Sequence, residues 1–205
     1  MDAPIAVGAE AVLTASEFLG RKAAVKTRVP KGYRHEELDR RIRVARTKNE
    51  VRVMQGARSE TVRTPVVYDV EMSECSITME FIDGVRVKDL LDADPESSKE
   101  VCPLIGEAMA DMHNRGIAHG DFTTSNMILM PDGRLCVIDF SLGSMNAGAE
   151  EMGVDVRLLQ RAFSSAHSAA EGGFEAVMNS YVDKKTDAGT VLRKVEEIKK
   201  RARYT

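Results

Sequence analysis

Two carboxylates and a carboxamide are the side chains of this sequence best suited to chemistry: Asp121, Asn126 five residues later, and Asp139 thirteen residues beyond that. All lie in one stretch, Ile117 to Ser141, IAHGDFTTSNMILMPDGRLCVIDFS. Met127-Ile128-Leu129 and Leu135-Cys136-Val137-Ile138 read as short apolar strands, and Pro131-Asp132-Gly133 as the turn joining them. Such a hairpin returns Asn126 to the side of Asp139, where one oxygen from each can share a divalent cation. Asp121 then stands nearby, free of the metal. Hard oxygen ligands for Mg²⁺ plus a separate carboxylate that can receive a proton suit phosphoryl transfer. Turn chemistry alone also places Asp and Asn in polar loops.

The order H-x-D-x-x-x-x-N, here His119 to Asn126, followed by D-F-x at Asp139, is that of the catalytic and metal loops of protein kinases. Other elements must present phosphates to these residues. Three strands are expected first: Pro4 to Val7, Val12 to Phe18 and Ala23 to Arg28, with Gly8-Ala9-Glu10-Ala11 as a tight turn between the first two. Lys26 lies in the apolar strand Ala23-Ala24-Val25-Lys26, like the lysine that reaches the α- and β-phosphates. A helix from His35 to about Ala57 follows, with Leu38, Ile42, Ala45, Val51 and Met54 as its apolar stripe; Glu50 within it can pair with Lys26. Between them, Val29 to Asp39 is either a polar loop with Tyr33 as an aromatic plug or a second surface that reaches the cleft. Strands at Pro65 to Glu71 and Ser76 to Ile82 lead to an Asp-Gly turn. In a two-lobed kinase this is the hinge, where backbone groups of Glu80, Phe81 and Ile82 would hold adenine.

A short helix at Val87 to Leu91 and a longer one at Leu104 to Asn114, with Pro103 in its first turn and Gly116 at its end, deliver the chain into the catalytic loop. After Asp139 only Leu142 to Gly153 precede the next helix, roughly Val154 to His167, and no A-P-E element is present. Asp155 either anchors the catalytic loop from behind or favours the helix N-terminus. Helices at Phe174 to Tyr181 and Thr190 to Tyr204 close the chain. Lys199, Lys200, Arg201 and Arg203 at its end either complement the helix dipole or form a basic tail that meets phosphate.

The 205 residues fit one large or two small domains. The net charge of −3 singles out no partner, but its distribution does: Arg21 to Arg52 holds 12 Lys and Arg against 4 Asp and Glu. This segment is either a solvated basic helix or a face for an anionic partner such as RNA or an acidic protein surface. Cys75, Cys102 and Cys136 are dispersed, without a CxxC pair, and read as buried thiols of a reducing compartment. The N-terminus lacks the basic and apolar regions of a signal peptide, and no apolar run approaches the ~20 residues of a membrane span, so a cytoplasmic protein is expected.

These residues together resemble the small atypical kinase of the KEOPS (EKC) complex, the PRPK-type family. The resemblance runs over nearly the whole chain. Its marks are Gly8-Ala9-Glu10-Ala11, Lys26, the run from Lys31 through Tyr33-Arg34-His35 to Leu38-Asp39, Glu50, His119 to Asn126, and Ile138-Asp139-Phe140-Ser141-Leu142-Gly143. It implies a minimal α+β, two-lobed kinase-like fold, with residues 1–82 as a β-rich N-lobe and 83–205 as a mainly helical C-lobe. It implies ATP with Mg²⁺, or Mn²⁺ in its place, and ATP hydrolysis or Ser/Thr phosphorylation in support of threonylcarbamoyl-adenosine synthesis in tRNA. The implied partners are the threonylcarbamoyl transferase subunit and other KEOPS subunits, with tRNA reached through the basic segment and the tail. By position, the resemblance makes Asp121 the base or the acceptor-orienting group, has Asn126 and Asp139 bind the metal and Lys26 with Glu50 position the phosphates, and has Gly8 to Ala11 cover them. The metal turn reads D-F-S rather than D-F-G, so Ser141 carries a Cβ where glycine would permit a positive φ.

Three other readings share some of these features. A small-molecule phosphotransferase of the aminoglycoside or choline kinase type also uses H-G-D, but too few residues follow Val154 for its acceptor pocket. A kinase-fold scaffold without catalysis would not need Lys26, Glu50, Asp121, Asn126 and Asp139 intact. A RIO-type kinase is a nearer relative, against which the Lys31 to Asp39 run argues.

Overall fold

The computed structural model of the chain describes residues 4–201. Its first part is an antiparallel sheet of β1 (Pro4–Val7), β2 (Ala11–Phe18), β3 (Arg21–Arg28), β4 (Val67–Glu71) and β5 (Ser76–Glu80), in the spatial order β1-β2-β3-β5-β4. Helix α1 (Glu36–Ala57) connects β3 to β4. Then come β6 (Val85–Arg86), α2 (Val87–Ala93) and α3 (Ser98–Asn114). Next, β7 (Ile117–Ala118), β8 (Met127–Leu129), β9 (Leu135–Val137) and β10 (Ser144–Met145) carry the candidate site. Helices α4 (Ala149–Ala166), α5 (Gly173–Lys184) and α6 (Ala188–Arg201) follow. This is an α+β architecture, a sheet with one long helix joined to a mainly helical part, as in a small kinase. No helix among the described residues is long and apolar enough to cross a membrane.

The core lies mostly in the helical part. Ile105, Met109 and Met112 of α3 are fully buried, together with Leu159 of α4, Val177 and Tyr181 of α5, and Phe122 and Phe140 beside the site. Each such side chain contributes roughly 1.5–3 kcal/mol on burial. Cys75, Cys102 and Cys136 are buried free thiols, as expected, and burial pushes the thiols of Cys102 and Cys136 up to about 12.

Four expectations need correction. The expected apolar stripe of α1 faces the core only in part: Met54 is buried and Ile42 and Val51 are half-buried, but Leu38 is 52% exposed and Ala45 is exposed, and Asp39, Thr47, Glu50, Val53 and Ala57 are buried in their place. Polar residues bury on this helix because arginines and Lys26 pair with its carboxylates. Pro103 is not in the first turn of α3 but at its sixth position, inside the helix. Pro95 takes the helical start instead, in a single 3-10 turn where the Asp94 side chain accepts from Glu96 N. An interior proline costs about 3 kcal/mol, and here it lies between the fully buried Cys102 and Ile105. Helix α4 begins at Ala149, ahead of the expected Val154, because Gly148 N is capped by the Glu151 carboxylate at 3.0 Å. Tyr33 is 78% exposed and plugs nothing. The expected end of the last helix, including Arg203 and Tyr204, lies outside the described residues, as do Met1 to Ala3.

Candidate active site

The hairpin forms as its sequence demands. Strands β8 and β9 pair antiparallel with Met127 opposite Val137, and Gly133 N bonds Met130 O across the turn. Beyond the last strand pair, Ile138 N donates to Asn126 O at 2.9 Å, which sets Asn126 beside Asp139. Asn126 Nδ2 in turn donates to Asp121 O and to Asp121 Oδ2, both at 2.9 Å. The carboxamide is thereby oriented with its nitrogen toward Asp121. A short chain of hydrogen bonds thus gathers all three residues.

Lys26 reaches this group from the sheet. Its Nζ lies 2.7 Å from Glu50 Oε1 and 2.7 Å from Asp139 Oδ1, and its side chain is only 11% exposed. The Lys26–Glu50 pair read from the sequence is present, and Asp139 joins it. Glu50 has a second partner that was missed, Arg28, whose guanidinium bonds Glu50 Oε2. The signal was available: Arg28 is two residues from Lys26 in β3, so both point to one face of the strand.

Asp139 takes a left-handed backbone, φ 63°. The positive φ of this turn falls on Asp139, and Ser141 is not among the residues with positive φ. Ser141 contributes its hydroxyl, which donates to Asp139 Oδ1 at 2.7 Å. Burial alone would raise the Asp139 carboxyl, but the Lys26 ammonium and the Ser141 hydroxyl bring it down to about 2. Asp139 is ionised at any physiological pH. A folded value below the ordinary 3.8 means that the stability this pair supplies is complete above pH 3.8 and is lost as pH falls toward about 2. Urea midpoints of the wild type should accordingly fall over that interval more steeply than those of Asp139→Asn.

The catalytic loop is fixed from behind. Asp155, fully buried in α4, accepts from His119 N at 2.6 Å and Gly120 N at 2.8 Å. This decides between its two readings: it anchors the loop and does not cap a helix. His113 Nε2 lies 3.3 Å from Asp155 Oδ2, and His113 Nδ1 lies 2.9 Å from the Tyr181 hydroxyl. His119 accepts from Asp121 N through Nδ1 (3.2 Å), so its proton sits on Nε2 and donates to Ile138 O at 2.9 Å. One imidazole therefore ties the catalytic loop to the metal turn. Gly120 has φ 80°, and a Cβ there would lie 2.2 Å from Leu142 O. Gly120→Ala should displace the loop and cost about 1–3 kcal/mol of stability, read as a lowered thermal midpoint with loss of activity.

The tight turn at Gly8 closes through Gly8 N to Ala11 O at 2.9 Å. Gly8 itself is outside the left-handed region, and an added Cβ would meet only Ala11 O at 3.4 Å. Gly8→Ala should fold with a thermal midpoint close to that of the wild type, in contrast to Gly120→Ala. The Glu10 carboxylate turns to Arg46 on α1, and Ala9 O accepts from Lys31 Nζ. In the segment expected to form the hinge, Glu80 N donates to Val66 O at 2.8 Å and Phe81 N to Lys22 O at 3.4 Å, while the Glu80 carboxylate holds Arg63 and Val66 N. Ile82 follows on the half-buried end of this segment. The Val29 to Asp39 connection is fastened by Asp39, which accepts from Lys31 N at 3.3 Å and Arg43 Nε at 2.7 Å and lies 3.5 Å from Arg34.

The oxygen donors fit a hard divalent cation. Asp139 is anionic, and its Oδ1 already holds Lys26 and Ser141. Asn126 spends its nitrogen on Asp121, which leaves its oxygen as the ligand-type atom.

A long helix whose buried glutamate grips a strand lysine, above a hairpin that carries Asp, Asn and Asp, defines a kinase-like protein. The RIO-domain family matches residues 12–171, and the chain belongs to it. The RIO-type relationship, disfavoured above on the Lys31 to Asp39 run, is thus the broader family. Within it, the KEOPS complex subunit Bud32 of Pyrococcus abyssi is 40% identical over 207 residues, covering 96% of this chain and 94% of that one. The chain belongs with that subunit to one family. The EKC/KEOPS complex subunit Tp53rkb of Mus musculus is 36% identical over 206 residues, 96% of this chain and 84% of that one. A probable bifunctional tRNA threonylcarbamoyladenosine biosynthesis protein of Methanosarcina mazei is 46% identical over 198 residues, 96% of this chain. The chain spans 35% of the length of that bifunctional relative.

Proposed function

We propose that this chain is an ATP-dependent kinase or ATPase that works as the kinase-like subunit of a KEOPS complex and supports threonylcarbamoyl-adenosine modification of tRNA. The observation that carries the reading is the junction at Lys26. One ammonium bridges Glu50 of the long helix and Asp139 of the metal turn, each at 2.7 Å, within a site whose Asp121 and Asn126 are already bonded together. A lysine so placed can exchange Asp139 for the phosphates of ATP while Glu50 keeps hold of it.

Asn126 and Asp139 would hold Mg²⁺, or Mn²⁺, which supplies charge neutralisation at the phosphates. Lys26 orients the phosphates, the turn from Gly8 to Ala11 covers them, and the backbone of Glu80, Phe81 and Ile82 borders adenine. Asp121 receives the acceptor's proton as the acceptor oxygen bonds the γ-phosphorus and the bond to the β-phosphate oxygen breaks, with ADP leaving as the anion. Residues 1–82 then act as the lobe above the nucleotide and 83–205 as the lobe below.

A peptide substrate needs a platform, and only Leu142 to Gly148 separate the metal turn from α4. Water is therefore the favoured acceptor over Ser or Thr of a protein. The names of the relatives support other KEOPS subunits as partners; the threonylcarbamoyl transferase subunit is proposed on the family resemblance, with tRNA approached through the basic Arg21 to Arg52 segment. The test is ATP turnover by the purified chain with and without the transferase subunit and tRNA. Stimulated phosphate release supports the reading. Stoichiometric phosphate on a dedicated protein, without tRNA-stimulated turnover, counts against water as the acceptor.

A further inference from the structure

Between the tip of the β1–β2 turn and the Lys26 site runs an unbroken line of charged contacts. Glu10, in the turn, pairs with Arg46 of α1 and lies 3.9 Å from Arg28. Arg28, only 3% exposed, bonds Glu50 Oε2, and Glu50 Oε1 holds Lys26. Arg46 and the Arg28 neighbours hold the Glu10 carboxyl below its ordinary range, so it is ionised. Lys31 fastens the adjacent Ala9 carbonyl from the β3–α1 connection.

Arg28 is the joint of this line, and it is not fully used. Among the described residues its Nε is buried without a hydrogen-bond partner. The contact of its Nη1 with Glu10 Oε2, at 3.9 Å, is within ion-pair range but too long for a hydrogen bond. Closing that gap would turn the ion pair into a charge-assisted hydrogen bond, so a small inward movement of Glu10 would be rewarded at Arg28 Nη1. The same movement draws the turn from Gly8 to Ala11 toward the helix that carries Glu50.

We infer that Glu10, Arg46 and Arg28 form a latch that couples closure of the nucleotide-covering turn to the placement of Glu50 and hence of Lys26. Glu10 is then a positioning residue whose side chain acts on α1, not on the nucleotide. Arg28 is a second positioning residue: by occupying Glu50 Oε2 it presents Oε1 to Lys26. Lysine cannot replace it, because only a guanidinium reaches two carboxylates with a rigid fork. The latch rests on the nucleotide-binding reading given above.

The experiment is dissociation of a fluorescent ATP analogue, with Mg²⁺, from the full chain after a chase of unlabelled ATP. Glu10→Gln and Arg46→Gln are each expected to speed release roughly tenfold, and the double variant no more than either alone, because they remove one shared interaction. Arg28→Lys should also speed release and should be non-additive with Glu10→Gln. Thermal midpoints of the Glu10 and Arg46 variants should stay near the wild type, since Glu10 is 43% exposed. Release at the wild-type rate from both single variants, or strictly additive effects, overturns the latch. Asp139→Ala is the control: if it still binds the analogue like the wild type, the nucleotide site itself is misassigned. If it loses binding while Glu10→Gln and Arg46→Gln behave as wild type, only the latch fails.

Discussion

Asp139→Ala is expected to abolish ATP turnover and also to weaken binding of Mg-ATP, whereas Asp121→Ala should abolish turnover and leave nucleotide affinity nearly unchanged. The difference follows from what each carboxylate touches. Asp139 is the anion of the metal turn, ionised with a value of about 2 and bonded to Lys26 and Ser141. Its removal deletes a hard ligand and leaves Lys26 held by Glu50 alone. Among the described residues Asp121 holds no cationic side chain, and its Oδ2 accepts from the Asn126 amide. In the proposed mechanism it acts when a proton must be received, and loss of such a group typically costs 10²–10⁴-fold in rate. Phosphate release and analogue binding, measured on both variants, separate the two roles. If the chain were a scaffold that merely uses the fold, neither substitution would change the function of its complex.

The second large effect is on Asp155, which is far from being a participant in chemistry but holds the loop that is. Asp155→Ala leaves the N–H groups of buried His119 and half-buried Gly120 without their acceptor and strips buried His113 of a partner. At about 1–3 kcal/mol for each orphaned buried donor, a loss of roughly 3 kcal/mol or more is expected. For a chain of this size that lowers the thermal midpoint by about 6–12 °C. Turnover should fall with it, since Asp121 follows directly after the two anchored residues. Asp155→Asn retains an acceptor oxygen and should recover part of the stability. A thermal midpoint unchanged in Asp155→Ala would show that the loop holds its shape without this anchor.

What could be read from the sequence, and what could not, divides on physical lines. The β8–β9 hairpin was legible because apolar triplets and a Pro-Asp-Gly turn state it locally, and the meeting of Asn126 with Asp139 follows from hairpin closure. The Lys26–Glu50 pair was legible because few acidic residues on α1 competed for it. The face that α1 buries was legible only in part. Hydrophobic periodicity caught Met54 but also pointed to Leu38 and Ala45, while the buried face includes Asp39, Thr47 and Glu50; Glu50 is held by Lys26 and Arg28 of β3, and Thr47 lies 3.5 Å from Cys75 O, contacts that join distant segments. Arg28 could have been found by strand alternation from Lys26. Pro103 misled because a proline inside a helix is costly unless packing on both sides repays it, and that packing arises only in three dimensions. The role of Ser141 was likewise hidden: the sequence reading weighed only its Cβ, whereas its hydroxyl donates to Asp139 Oδ1.

The central claim is that Lys26, Asp121, Asn126 and Asp139 converge on the terminal phosphates of one magnesium-bound nucleotide. Calorimetric titration of the chain with a non-hydrolysable ATP analogue, with and without Mg²⁺, tests it most directly. The account predicts one saturable site that depends on Mg²⁺, is weakened by Lys26→Ala and is lost in Asp139→Ala. Absence of binding by the wild type, or equal affinity without Mg²⁺ and in Asp139→Ala, would contradict it.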